Sequence, residues 1–156
     1  MSQSHHRRPL LGALGVTIVW STLIFATSCT VVRPGEFFAI IHRFVLTDDA
    51  LMSRFEAFWG FVWLFVVKGW HFTEFAILSL LCQMALLRFR PEPAILNIVV
   101  AAAAAILFAI SDEWHQTFVP GRGGTVFDVL IDSLGVLLAT LYSLRHIRSN
   151  RTACGS

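Results

Sequence analysis

FEAFWGFVWLFVVKGWHFTEFAILSLLCQMALL, residues 55 to 87, decides how many times the chain crosses a membrane. Read as one helix, the stretch measures about 50 Å, well beyond a hydrocarbon core of about 30 Å. Read as two crossings, it leaves only Lys68 to Trp70 for the reversal between them. A third arrangement suits its composition better. Residues 55 to 70 are rich in Phe and Trp, whose rings settle where one edge stays wet, so they are assigned to an interfacial or re-entrant helix. FFAIIHRFVL, residues 37 to 46, is placed in the same interface. The membrane crossing then begins at His71 and ends at Leu87, against Arg88 and Arg90.

The rest of the chain supports this reading. Of its 156 residues, 56% are hydrophobic and 14% charged, with a mean hydropathy of +0.68, whereas about a quarter of a soluble domain is charged. Three further apolar runs are long enough to cross: Leu10 to Thr27, Pro93 to Ile110 and Val126 to Leu144. The third of the four spans contains Ala101 to Ala105, small side chains that let helix backbones approach closely. The expected fold is all-α, a polytopic membrane protein of four transmembrane helices with the aromatic-rich helix between spans one and two. Residues 1–9 form an N-terminal segment, 10–145 the membrane domain and 146–156 a polar tail, disordered from Ser149 onward.

Charge sets the orientation. With four spans, Arg7, Arg8, Arg88, Arg90, Arg145, Arg148 and Arg151 fall on one side, seven of the twelve basic residues, and such a side is retained in the cytoplasm. Both termini are therefore expected inside. Scattered flank charges of this kind explain topology and contact with membrane lipids, and nothing points to nucleic acid. Cys29, Cys82 and Cys154 share neither a disulfide framework nor a metal-ligand spacing. HHRRP, an apolar run and ATSC also fit a lipoprotein signal ending at Cys29, set against a retained first helix in which Cys29 is an ordinary small residue.

The ionisable residues gather in two places. SDEWHQTFVPGRGGTVFDVLIDSLG, residues 111 to 135, holds Asp112, Glu113, His115, Gln116, Arg122, Asp128 and Asp132, and KGWHFTE holds Lys68, His71 and Glu74. Topology brings both to the outer end of the bundle. His71 and Glu74, Asp112 and Gln116, and Asp128 and Asp132 are each spaced to share a helix face. Charges near hydrocarbon cost several kcal/mol unless paired or hydrated, so one shared polar pocket is expected. PGRGG, residues 120 to 124, is a turn that holds Arg122 either over the pocket as a fork for carboxylate or phosphate, or against Asp128 as an internal pair.

These residues resemble the signature of the VanZ-like family of small bacterial membrane proteins. The match runs through Lys68, His71, Asp112, Glu113, Gln116, Arg122, Asp128 and Gly135 and, with WSTLIFATS in the first span, covers most of the chain. Asp132 stands where the family pattern has mostly Asn. The resemblance implies a multi-pass protein of the bacterial cytoplasmic (inner) membrane, linked through the family's name to teicoplanin, a glycopeptide antibiotic acting on the cell envelope. Some relatives carry a phosphotransbutyrylase label, which does not suit a chain lacking a soluble domain and a nucleotide loop.

Two classes of function follow. In the first, an enzyme acts on a cell-envelope lipid, a lipid-linked precursor or a glycopeptide. Glu113, His71 and Asp112 are its candidate acid/base groups, and Lys68, Gln116, Arg122, Asp128 and Asp132 bind substrate. No Ser or Cys stands beside a base, so activated water is the expected nucleophile. In the second, a non-catalytic protein binds a ligand or partner there, or the charges only lock the helices in register. No cofactor or metal is expected, since no spacing is a dedicated metal motif; a mixed set of His71, Glu74, Asp112, Glu113 and His115 is the one that would suit zinc or manganese.

Overall fold

A computed structural model describes residues 3–30 and 34–153 of the chain. Among them are five helices and no strand: α1 (Gln3–Ser28), α2 (Pro34–Phe44), α3 (Asp49–Phe89), α4 (Ala94–Gln116) and α5 (Val126–Ala153). Four of these, all but α2, are long and apolar enough to cross a membrane. The all-α, four-span architecture is as expected. Cys154 and the end of the tail lie outside the described residues, and α5 remains helical through Ser149 to Ala153, where disorder is expected from composition.

The aromatic stretch is arranged differently from expectation. Residues 55 to 70 form no separate interfacial or re-entrant helix; they continue without a break into the second span, as the first half of the 41-residue α3. At 1.5 Å per residue α3 is about 61 Å long, twice the hydrocarbon thickness. The physical reason is backbone satisfaction. Between Asp49 and Phe89 there is no proline to break the ladder. The glycines at 60 and 69 cost only about 1 kcal/mol each, far less than freeing the carbonyls of a turn in apolar surroundings. Thr73 Oγ1 donates to the Gly69 carbonyl at 2.7 Å, at the place where a reversal was the alternative. Asp48 caps the helix, accepting from Leu51 N at 2.7 Å. The short α2 lies on the aromatic half of α3, with Phe37 against Trp59 (5.5 Å between rings) and Phe38 edge-on to Phe55 (6.2 Å).

The second half of α3 is the centre of the bundle, packed against α1, α4 and α5. Ile24, Phe75, Leu78, Ala102, Ala105, Ala109 and Val136 form the core, and Ala101, Ala102, Ala105 and Ala109 on α4 are all buried, as small residues at a close helix contact should be. Trp20 fastens α1 to α3 by donating its indole N–H to the Glu74 carbonyl at 3.0 Å. Gly135 allows the closest approach: a Cβ there would run into the Phe72 carbonyl of α3.

Two alanine substitutions are expected to move stability in opposite directions. Gly135→Ala forces α3 and α5 apart and should cost about 1–3 kcal/mol, the range for overpacking, read as a lower melting temperature in detergent. Gly69→Ala meets nothing within 4 Å and should stabilise a continuous helix by about 0.5–1 kcal/mol; a loss of stability there would contradict the unbroken α3.

Candidate functional site

One end of the bundle collects the ionisable residues of both sequence clusters. Contributing to it are the last turn of α1, the middle of α3, the last turns of α4, the connection after α4 and the first two turns of α5. The connection owes its shape to Val119, Pro120, Gly121 and Arg122. Arg122 N donates to the Val119 carbonyl at 3.0 Å and Gly121 has φ 83°, the type II turn in which proline precedes a residue of positive φ. The chain then passes so close to α4 that a Cβ on Gly124 would fall on the Glu113 carbonyl. Thr125 begins α5 as a capping residue: its Oγ1 accepts from Asp128 N at 3.1 Å and donates to Asp128 Oδ2 at 2.9 Å.

This geometry settles the partner of Asp128. Lys68 of α3 forms the ion pair with Asp128, and Arg122 does not. Arg122 instead closes the C-terminal end of α1, its Nη1 donating to the Thr27 carbonyl at 2.7 Å and the Thr30 carbonyl at 2.8 Å. A cation there meets both the unpaired carbonyls and the negative end of the helix dipole. The Nη2 atom of Arg122 lies 3.5 Å from His71 Nε2.

Behind Arg122 is a buried polar network. Asp112 Oδ2 accepts from Ser28 Oγ at 2.6 Å and from Gln116 Nε2 at 2.9 Å. The same Gln116 amide donates to Glu113 Oε1 at 2.9 Å, and Glu113 Oε2 accepts from Thr125 N at 3.1 Å. His71 Nδ1 is 3.9 Å from Glu74 Oε2, and Thr27 Oγ1 donates to Glu74 Oε1 at 3.4 Å. Asp132 is fully buried on α5. His71, Glu113 and Asp132 each offer a ligand atom within 4.8 Å of the others. That trio shares only His71 and Glu113 with the set considered from sequence. His115 is elsewhere, tilted against Phe25 at 4.5 Å between rings, with Nε2 3.5 Å from Cys29 Sγ.

A pocket of about 670 Å³ opens beside this network. Its polar wall includes Thr27, His71, Glu74 and Arg122, and its apolar wall Trp63, Val66, Val67 and Trp70. Lys68, Asp112, Glu113, Gln116, Asp128 and Asp132 are not part of the lining; they lie behind it. Sequence reasoning assigned Glu74 no role in substrate handling and missed Thr27, Ser28 and the tryptophans. The signal was available for Trp63 and Trp70, which are seven residues apart on α3 and so on the same face. Ser28 carried none, because a serine ending an apolar span looks like any other. Chemically, the wall offers an acid/base pair in His71 and Glu74, and a guanidinium whose Nη1 is already engaged.

No curated protein and no solved structure matches the chain. The profile of the family described as VanZ/LLP1 matches residues 10–146, from the start of the first apolar run to the last turns of α5, and so takes in every residue of the network and the pocket. The chain belongs to the VanZ/LLP1 family.

Proposed function

We propose that the pocket receives the anionic head of an amphiphilic cell-envelope component, a lipid or lipid-linked precursor, with His71 and Glu74 as the proton-handling pair. The observation that carries this reading is the two-sided lining. Arg122, His71, Glu74 and Thr27 stand opposite Trp63, Val66, Val67 and Trp70, which suits a molecule with a polar head and a hydrocarbon body. Arg122 keeps donors beyond those spent on α1, and such donors favour phosphate or carboxylate oxygens. A glycopeptide acting on the envelope would meet the same component, which is how a glycopeptide phenotype of the teicoplanin type would arise without the drug entering the pocket.

The acid/base role passes from Glu113 to Glu74 in this reading. Both Glu113 oxygens already accept hydrogen bonds, from Gln116 and from the Thr125 amide, and Glu113 does not line the pocket. The alternative of a helix-locking network is favoured for part of the constellation by the Lys68 to Asp128 pair and the Ser28, Asp112, Gln116 chain. Lys68, Asp112, Gln116 and Asp128 are therefore assigned to holding the bundle, and His71, Glu74 and Arg122 to the ligand. The pocket lies at the bundle end opposite Arg88, Arg90 and Arg145, and the weight of basic residues at that far end supports a pocket facing out of the cytoplasm of a bacterial cell.

Binding is tested on purified protein in non-ionic detergent with fluorescent phosphatidylglycerol against phosphatidylcholine of the same chain length. The anionic lipid should bind more tightly. Val67→Trp, which fills the apolar side, should weaken it at least tenfold, about 1.4 kcal/mol, while the melting temperature holds. Equal affinity for the two lipids would remove the anion from the proposal, and an unaffected Val67→Trp would remove the pocket. Orientation is checked by labelling single cysteines in intact cells with an impermeant maleimide: a cysteine replacing Gly123 should react and one replacing Arg90 should not.

A further inference from the structure

Among the described residues, Asp132 is a buried carboxylate with both oxygens unpartnered. It is 0% exposed. A buried carboxylate without a partner costs several kcal/mol, so something must accompany it. Its surroundings make matters worse. Glu74, Asp112 and Glu113 are buried with it, and one oxygen each of Glu74 and Asp112 is also without a partner. The nearby cations have partners other than Asp132: Lys68 pairs with Asp128, and Arg122 Nη1 meets the carbonyls ending α1. The charge facing Asp132 from α3, α4 and α5 is therefore predominantly negative, with His71 the remaining group able to balance it.

From this juxtaposition we infer that His71, Glu113 and Asp132 form a binding site for a divalent transition-metal ion, of the zinc or manganese type. Each comes from a different helix, α3, α4 and α5 respectively, and their ligand atoms already lie within 4.8 Å of one another. Tetrahedral zinc with ligands at about 2.0–2.2 Å needs ligand atoms roughly 3.4 Å apart, a difference that side-chain rotation closes. One imidazole and two carboxylates are borderline and hard donors, which suit zinc and manganese and disfavour copper(I). A dication removes two units of the buried negative charge at once, and Asp132 supplies oxygens that no other group claims. Glu113 is already oriented by Gln116 and by the Thr125 amide, the outer-shell support that metal-bound carboxylates characteristically receive. His71 also lines the pocket, so the ion would sit behind the wall that the proposed ligand touches. The inference does not depend on what that ligand is; with the ion bound, Glu74 is left as the proton carrier of the pocket, because a ring nitrogen that holds a metal cannot take a proton.

The alternative occupant of the same space is a proton, and the two are separated by titrating metal-stripped protein in detergent with Zn²⁺ and with Mn²⁺ while following heat and melting temperature. One equivalent of at least one of these metals should bind per chain and raise the melting temperature, because an ion that ties three helices stabilises the folded state. Asp132→Asn, nearly identical in shape, and His71→Gln should each weaken binding at least tenfold and abolish the thermal shift. His115→Gln, outside the trio, should titrate like the unaltered protein. Should Asp132→Asn fail to fold, the loss of binding in His71→Gln tests the site by itself. Absence of stoichiometric binding by either metal, or binding that survives both trio substitutions, overturns the site in favour of protonated carboxyl groups. Loss of metal binding in Asp132→Asn, a residue outside the pocket lining, with lipid selectivity intact would separate this site from the ligand proposed for the pocket.

Discussion

Asp112 is 1% exposed, in the last turns of a helix whose outer faces are apolar. A carboxylate among apolar helices is tolerable because donors are brought to it: Ser28 from the end of α1, and Gln116 one turn further along its own helix, α4. This requirement, that polar groups in an apolar bundle be met by the protein itself, organises everything else at that end of the molecule. It places the C-terminus of α1 beside that of α4, draws the connection before α5 back over Glu113 through the Thr125 amide, and pins α3 to α5 through Lys68 and Asp128. The Ser28 to Asp112 bond and the Lys68 to Asp128 pair join elements distant in sequence, so they act as a register for the bundle.

The same requirement explains the unusual length of α3. A helix satisfies its own backbone wherever it is, in hydrocarbon, at the headgroups or in water, whereas a reversal at Lys68 to Trp70 would expose unpaired carbonyls near the membrane surface. Continuity costs two glycines in helical conformation and yields a single rod with two roles. Its second half is packed on three sides; its first half carries the exposed Phe58, Phe61 and Phe65 and receives α2 on an aromatic face. Trp63 and Trp70 lie at the junction between the two halves. For that reason the pocket has an apolar wall at all, and a separate interfacial helix would not have placed that wall in line with His71 and Glu74.

Within the polar end there is a division of labour that charge counting does not reveal. Lys68 pairs with Asp128, and Asp112 Oδ2 accepts from Ser28 and Gln116, contacts that fasten α3 to α5 and α1 to α4. Arg122 has a double position: it neutralises the end of α1 and forms part of the pocket wall. Glycine makes the arrangement possible at two points, since the connection can lie on α4 only without a side chain at Gly124, and α5 can lie on α3 only without one at Gly135. Close approach at these points brings Glu113 and Asp132 within reach of His71.

Composition and spacing alone are enough to read the apolar surroundings, the count of spans and the meeting of two charged clusters. Each follows from a one-dimensional quantity: apolar run length against bilayer thickness, and the alternation of ends that an even number of crossings imposes. The sequence also contained the family, because the motif from Lys68 to Gly135 is a pattern of residue types at fixed places. The pairings depend on how the helices pack. Arg122 had two destinations open to it, over the pocket or against Asp128; it lines the pocket with Nη1 on the carbonyls at the end of α1, and Lys68 is the partner of Asp128. His115 and His71 are the same residue type at the same end of the bundle, yet only His71 faces inward, a matter of helix rotation that spacing within one segment does not specify. The continuity of α3 was likewise a choice between arrangements of similar hydropathy. It was settled by where its backbone hydrogen bonds and its neighbours lay.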